Sequence, residues 1–302
     1  MGTRICPPWR ALRISPSNLQ SPFMSRISTL FGKLLQNRRK ALIPFITAGD
    51  PEPGMMVPLM HELVQAGADV IELGVPFSDP MADGPTIQRS SERALKHRVS
   101  LQDVLAMVGE FRESDSSTPV VLMGYANPVE AMGYDAFTAR SKACGVDGVL
   151  IVDYPPEESV KWVEYLKRQN IAPIFLLSPT TPQQRVERVA SLAEGYVYYV
   201  SLKGVTGSLH LDLHDVAEKL DGLRSRISIP IGVGFGIRDG ATARAVAELA
   251  DAVVVGSRII EEIERSPKAE VLTNVHRLVK SLRIAIDAAS PAPSAAVKLT
   301  HL

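Results

Sequence analysis

Eight short runs rich in Val, Ile, Leu and Ala, separated by stretches of helical periodicity, constrain this chain more than any other feature. The runs are Ala41–Thr47, Asp69–Leu73, Pro119–Met123, Gly148–Val152, Ala172–Leu176, Tyr196–Ser201, Ile229–Val233 and Ala252–Val255. Between them lie amphipathic segments such as Pro53–Gln65, Leu101–Arg112, Glu157–Gln169, Pro182–Ala193 and Ala241–Leu249. This alternation specifies repeated βα units on a parallel sheet, since each helical return lets the next strand run in the same direction. Eight strands in strict alternation close into a barrel without edges, whereas a doubly wound sheet usually has about five to seven and opens a helix with GxGxxG after its first strand. No such glycine motif follows the first run. The expected fold is therefore α/β, a (β/α)8 TIM barrel in a single domain over residues 24–289.

The length of 302 residues fits one such barrel with short extensions. Thirty-three basic residues balance thirty-three acidic ones, which argues against a surface built to neutralise nucleic-acid phosphates. The longest apolar stretches, such as Ile227–Ile237, fall well short of the roughly 18 residues that span a bilayer. Two cysteines, Cys6 and Cys144, neither with a CxxC partner, cannot build a disulfide framework and point to a reducing, cytoplasmic setting. The first 40 residues hold eight basic and no acidic residues, so residues 1–23 read as a disordered leader or a start placed too early, with Met24 opening the working chain. Ser290–Leu302, rich in Ala, Pro and Ser, reads as a loose tail.

In a barrel of this kind the active site lies at the carboxyl ends of the strands. Glu72, in Val70-Ile71-Glu72-Leu73-Gly74, alternates with Ile71 and Leu73 and so faces the barrel interior if those two pack on helices. Burial there raises its pKa toward neutrality and suits it to act as both acid and base. The following loop, Pro76 to Pro85, adds Asp79 and Asp83 at the same mouth. Asp153 at the end of the fourth run is a further acid, or simply a turn cap before proline.

Three glycine clusters, Gly204-Val205-Thr206-Gly207, Gly232 to Gly236 and Gly256-Ser257, follow the sixth, seventh and eighth strands. Backbone N–H groups at such places, backed by a helix amino terminus, cradle a phosphate monoester. Phe45, Tyr125, Tyr198 and Phe235 are the aromatic residues placed to enclose a flat apolar group. Tyr198, a phenol seeking a partner inside the barrel, is the expected hydrogen-bond partner of Glu72.

No metal site is expected: His210 and His214 stand four apart but lack an adjacent third ligand. Lys203, just after the sixth strand, keeps a Schiff-base aldolase open as an alternative.

The quoted segments resemble the tryptophan synthase α chain family. The likeness rests on Leu42 to Pro51, Glu72 to Pro80, Ala82 to Gln88, Gly204 to Gly207 and Gly234 to Ile237, in the family's order, and runs from about Met24 through the last helix. The resemblance implies retro-aldol cleavage of indole-3-glycerol phosphate to indole and glyceraldehyde 3-phosphate. It implies Glu72 as acid and base, Asp83 as the group that holds the indole N–H, and Tyr198 as the residue that orients Glu72. It further implies that Thr206, Gly207, Gly236, Gly256 and Ser257 bind the phosphate end, while Phe45, Met123, Tyr125 and Phe235 surround the indole. No cofactor is implied for this chain. The partner implied is a tryptophan synthase β chain carrying pyridoxal phosphate, in an α2β2 heterotetramer, with Asp79, Asn127 and the loop around Thr206 facing it. The segment Ser208-Leu209-His210-Leu211-Asp212 departs from the more polar lid of many members. A free-standing lyase would share the same catalytic residues, and a barrel that serves only to activate a partner would not need Glu72.

Overall fold

The computed structural model describes residues 25–201, 213–234 and 236–289. The leader at 1–23 and the tail at 290–302 lie outside the described residues, as do Lys203 and the segment from Ser208 to Asp212. The strands are β1 (Ala41–Thr47), β2 (Ile71–Gly74), β3 (Val120–Gly124), β4 (Gly148–Ile151), β5 (Ala172–Leu177), β6 (Val197–Val200), β7 (Ile231–Gly234) and β8 (Ala252–Val255). They pair in parallel, each with the next, and β8 closes on β1, as the alternation predicts. Twelve α-helices are present among the described residues: α1 (Arg26–Gln36), α2 (Met56–Gln65), α3 (Pro85–Lys96), α4 (Leu101–Arg112), α5 (Ala126–Met132), α6 (Tyr134–Cys144), α7 (Val160–Arg168), α8 (Gln183–Leu192), α9 (Leu213–Arg224), α10 (Gly240–Leu249), α11 (Ser257–Arg265) and α12 (Val271–Asp287).

Period-two alternation sorts the strand residues into two layers. Leu42, Ile46, Ile71, Leu73, Val197 and Tyr199 pack outward against helices, whereas Ile43, Val70, Val121, Leu150, Tyr196 and Val254 fill the interior. Eight helices, α2, α4, α6, α7, α8, α9, α10 and α12, supply one outer return per strand.

The remaining four have other work. Helix α1 was not foreseen by the strand-helix count. Ser25 caps it by accepting the Ser28 N–H, and its buried Ile27, Phe31 and Leu34 join the interior cluster, so the helix plugs the amino-terminal mouth of the barrel. Helices α3, α5 and α11 are insertions, each the first helix after β2, β3 and β8, and all three stand at the carboxyl ends of the strands.

The opposite end is tied by aspartates. Asp69 accepts the Leu42 N–H at 2.8 Å, Asp147 the Val120 N–H at 2.9 Å and Asp251 the Ile231 N–H at 3.0 Å, each reaching from the start of an even strand to the start of the odd strand before it. In the fourth such pair the second residue of β5 is Pro173, which has no N–H to satisfy. Arg26 and Arg112 neutralise Asp147, and Arg39 and Arg283 neutralise Asp69. This duty moves Asp69 out of the strand expected to begin with it. Similarly, α7 starts at Val160 rather than Glu157, because the amides of Glu158 and Ser159 turn back onto Pro155 and Pro156.

Candidate active site

Glu72 stands in β2 opposite Phe45 of β1 and Val121 of β3, fully buried inside the barrel. Its Oε1 accepts a hydrogen bond from the Tyr196 hydroxyl at 2.5 Å, and its Oε2 has no partner among the described residues. Burial pushes the carboxyl up to about 7, against the opposing pull of the Tyr196 hydrogen bond. The group can therefore hold a proton or release one near neutrality.

The expected bond from Tyr198 is corrected by this geometry. Tyr196 and Tyr198 share the interior face, but they occupy successive layers two residues apart along β6. Tyr196 reaches Glu72, whereas the Tyr198 hydroxyl lies over Gly234 on the neighbouring strand β7, where a Cβ would collide with it. Parity in the sequence could have nominated Tyr196 as readily; only the stagger of the barrel strands decides the layer.

The second acid is built differently. Asp83 lies in the loop between β2 and α3, where its backbone carbonyl accepts the Gln88 side-chain amide at 2.8 Å. Its Oδ2 accepts the Tyr125 hydroxyl at 3.0 Å, and the same hydroxyl accepts the Ala82 N–H at 3.0 Å. The Tyr125 ring stacks on Phe77 with centroids 5.2 Å apart, so one side chain from the end of β3 fixes this loop at two points. Burial raises the Asp83 pKa, and the Tyr125 bond works against that rise.

Beside Asp83 lies a small cleft lined by Phe45, Thr47, Asp83, Ile87, Met123 and Tyr125 among others. The Phe45 ring crosses Gly74 so closely that a Cβ there would stand 2.5 Å from its Cζ. Phe45, Met123 and Tyr125 thus come together as an apolar wall with one carboxylate at its rim.

On the β7 and β8 side, Gly236 has φ +74° with nothing within 4 Å of where a Cβ would lie, a backbone open toward the mouth. Gly256 precedes α11, whose amino end at Ser257 carries no side-chain cap, leaving leading N–H groups available to an anion. Thr206, Gly207 and Phe235 lie outside the described residues. Asp79 and Asn127 are both exposed, Asp79 accepting from the Ser78 hydroxyl at 2.5 Å and Asn127 on the first turn of α5. Asp153 caps backbone, accepting the Ala126 N–H at 2.8 Å at the start of α5. No group of metal-ligating side chains occurs among the described residues, and none of their helices is long and apolar enough to cross a membrane.

A closed eight-stranded barrel with a buried carboxyl poised near neutrality inside it, and a cleft and short inserted helices at the carboxyl ends of its strands, has the architecture of a barrel enzyme. The family model for the tryptophan synthase alpha chain matches residues 31–287. The tryptophan synthase alpha chain of Nitrosomonas europaea is 70% identical over 267 residues, covering 88% of this chain and 97% of that protein. That of Thiobacillus denitrificans is 62% identical over 88% of this chain and 98% of its own length. The crystal structure of tryptophan synthase subunit alpha from Legionella pneumophila superposes with a TM-score of 0.82 at 45% identity, covering 87% of this chain and 99% of that one. The chain belongs to the tryptophan synthase alpha chain family.

Proposed function

We propose that this chain cleaves indole-3-glycerol phosphate to indole and glyceraldehyde 3-phosphate, with Glu72 moving both protons. The carrying observation is the Glu72 carboxyl, wholly buried, held by Tyr196 through one oxygen only and poised at about 7. Protonated, it delivers its proton to C3 of the indole ring, which becomes an indolenine. The carboxylate then takes the proton of the side-chain hydroxyl as the bond between C3 and the side chain breaks, the aldehyde forms and the electron pair returns to the ring. One proton is given and one received, so the acid ends as it began.

Asp83, placed by Tyr125 at the rim of the cleft, accepts the indole N–H and stabilises the positive charge that develops on the ring. Phe45, Met123 and Tyr125 enclose the indole, and Phe235, outside the described residues, is assigned to the same group. Gly236, Gly256 and Ser257 hold the phosphate with backbone N–H groups, joined by Thr206 and Gly207. Tyr198 lies on the interior face with its hydroxyl over Gly234, and the orienting of Glu72 falls to Tyr196.

The chain itself uses no cofactor. Its partner is a tryptophan synthase β chain, which carries the pyridoxal phosphate and joins indole to serine, in a cytoplasmic α2β2 assembly. The exposed Asp79 and Asn127 contribute to that interface, and Met81, 89% exposed between Asp79 and Asp83, lies in the same loop.

The test is indole release from indole-3-glycerol phosphate by the purified chain, with and without a β chain. Slow cleavage that rises sharply with the β chain and disappears in Glu72→Gln supports the assignment. Fast cleavage by the chain alone identifies a free-standing lyase, and more than a tenth of wild-type activity in Glu72→Gln removes that residue from its role.

A further inference from the structure

The two groups assigned to the ends of the substrate, Asp83 and the amino end of α11, are carried by α3 and α11, which are insertions and not part of the ring of outer helices. Asp83 sits two residues before α3, while Gly256 and Ser257 open α11. Nothing in the strand ladder fixes the distance between those helices. They pack on each other, and both touch β1.

A connected set of ion pairs joins them. Arg93, in the last turn of α3, donates through Nε and Nη2 to the two carboxylate oxygens of Asp50 at 2.6 and 2.9 Å. Asp50 follows β1 and is fully buried. The third arm of the same guanidinium, Nη1, donates to Glu264 of α11 at 2.7 Å, and Arg89 of α3 adds a two-pronged bond to Glu264 at 2.8 and 2.8 Å. Beside these, the Thr47 and Ser90 hydroxyls meet at 2.6 Å, seating α3 on the end of β1. A planar guanidinium that engages two carboxylates at once fixes direction as well as distance, which a lysine cannot do.

We infer that Arg93 is a positioning residue: through Asp50 and Glu264 it sets the separation between the Asp83 carboxylate and the amino end of α11, and so the length of the two-ended substrate the cleft accepts. This reading rests on the assignment of those two ends to the indole nitrogen and the phosphate. The residue touches neither end and acts on their spacing. A shift of about 1 Å in such a relation costs on the order of 10²-fold in rate.

The inference separates binding of a two-ended ligand from binding of its halves. Calorimetry of the full chain with indole-3-propanol phosphate, a non-cleavable analogue carrying both ends, is compared with ligand-observed NMR using inorganic phosphate and indole separately. Arg93→Gln and Glu264→Gln are expected to weaken the two-ended ligand tenfold or more while each half binds within twofold of wild type. The double variant should lose less than the sum of the two single losses, because both break the same Arg93–Glu264 link, and Arg93→Lys should fall between wild type and Arg93→Gln. Should Arg93→Gln fail to fold, Arg89→Gln removes the two-pronged bond to Glu264 but leaves the Arg93 links to Asp50 and Glu264, and should weaken the two-ended ligand about threefold. Unchanged affinity for the analogue, equal loss for all three ligands, or additive effects in the double variant would overturn the role of Arg93. Failure of the wild type to bind the analogue would overturn the substrate assignment, and the clamp with it.

Discussion

The Tyr196 hydroxyl donates to Glu72 Oε1 across the barrel interior, and the Phe31 ring of α1 lies 6.0 Å from the Tyr196 ring, in the interior cluster that plugs the barrel's opposite mouth. Glu72 is thus seated on a column of side chains that reaches the far end of the molecule. Because the bond favours the ionised carboxyl, it moderates a rise caused by burial.

Removing that hydroxyl should raise the Glu72 pKa further. Tyr196→Phe is expected to move the corresponding limb of the pH profile of kcat/KM upward, above about 7, by a fraction of a unit to about one unit, with the fold intact. Tyr198→Phe should leave that limb in place. A profile that moves with Tyr198 and not with Tyr196 would reverse the assignment.

Glu72 should also cost stability. Its folded pKa of about 7 lies above the ordinary 4.5, so below pH 4.5 both folded and unfolded states hold the proton and nothing is lost. Between 4.5 and 7 only the unfolded chain releases it, and the loss then stays constant above 7. Replacing Glu72 with Gln should therefore raise stability at pH 8 by up to about 3 kcal/mol relative to its effect at pH 4, while lowering turnover by at least about 10²-fold. Urea unfolding at the two pH values, beside an activity assay, checks both halves.

At the other acid, Tyr125→Phe removes the bond that opposes burial, so the Asp83 pKa should rise, and it also releases the Ala82 amide. Turnover is expected to fall with the loop loosened, while affinity for inorganic phosphate stays as in wild type. Asp83→Asn should lower turnover more strongly with the same phosphate affinity, as an NMR titration would show.

Glycine is required at two positions, at Gly74 by lack of space and at Gly236 by its backbone conformation. Gly74→Ala places a methyl group against the Phe45 ring and should cost about 1 to 3 kcal/mol while narrowing the cleft. Pairing it with Phe45→Leu should restore part of the stability. Gly236→Asp sets an anion at φ +74° in the proposed phosphate site and should raise KM more than it lowers kcat.

The amino-terminal end of the barrel should matter for stability alone. Asp147→Ala leaves the Val120 N–H unpaired and strips Arg112, only 10% exposed, of its main counter-ion. A loss of about 3 to 5 kcal/mol is expected in urea unfolding, with kcat per folded molecule unchanged.

Much of this molecule is legible in the chain itself. Runs of β-branched residues with period two, alternating with helical periodicity, fix eight strands and their parallel order, and the same period turns Glu72 inward because Ile71 and Leu73 must face helices. Local chemistry suffices for those features, since each depends on residues within a few positions. Helix α1 was not legible, because its apolar face has meaning only against a barrel mouth assembled from all eight strands. Nor was the choice of Tyr196 over Tyr198, two residues with equal parity, which depends on how strands stagger around a closed sheet. The link from Arg93 to Asp50 and Glu264 joins positions up to 171 residues apart. Sequence determined which residues face inward; tertiary closure alone decided which of them meet, because contacts across a barrel are set by its shear and not by spacing along any one strand.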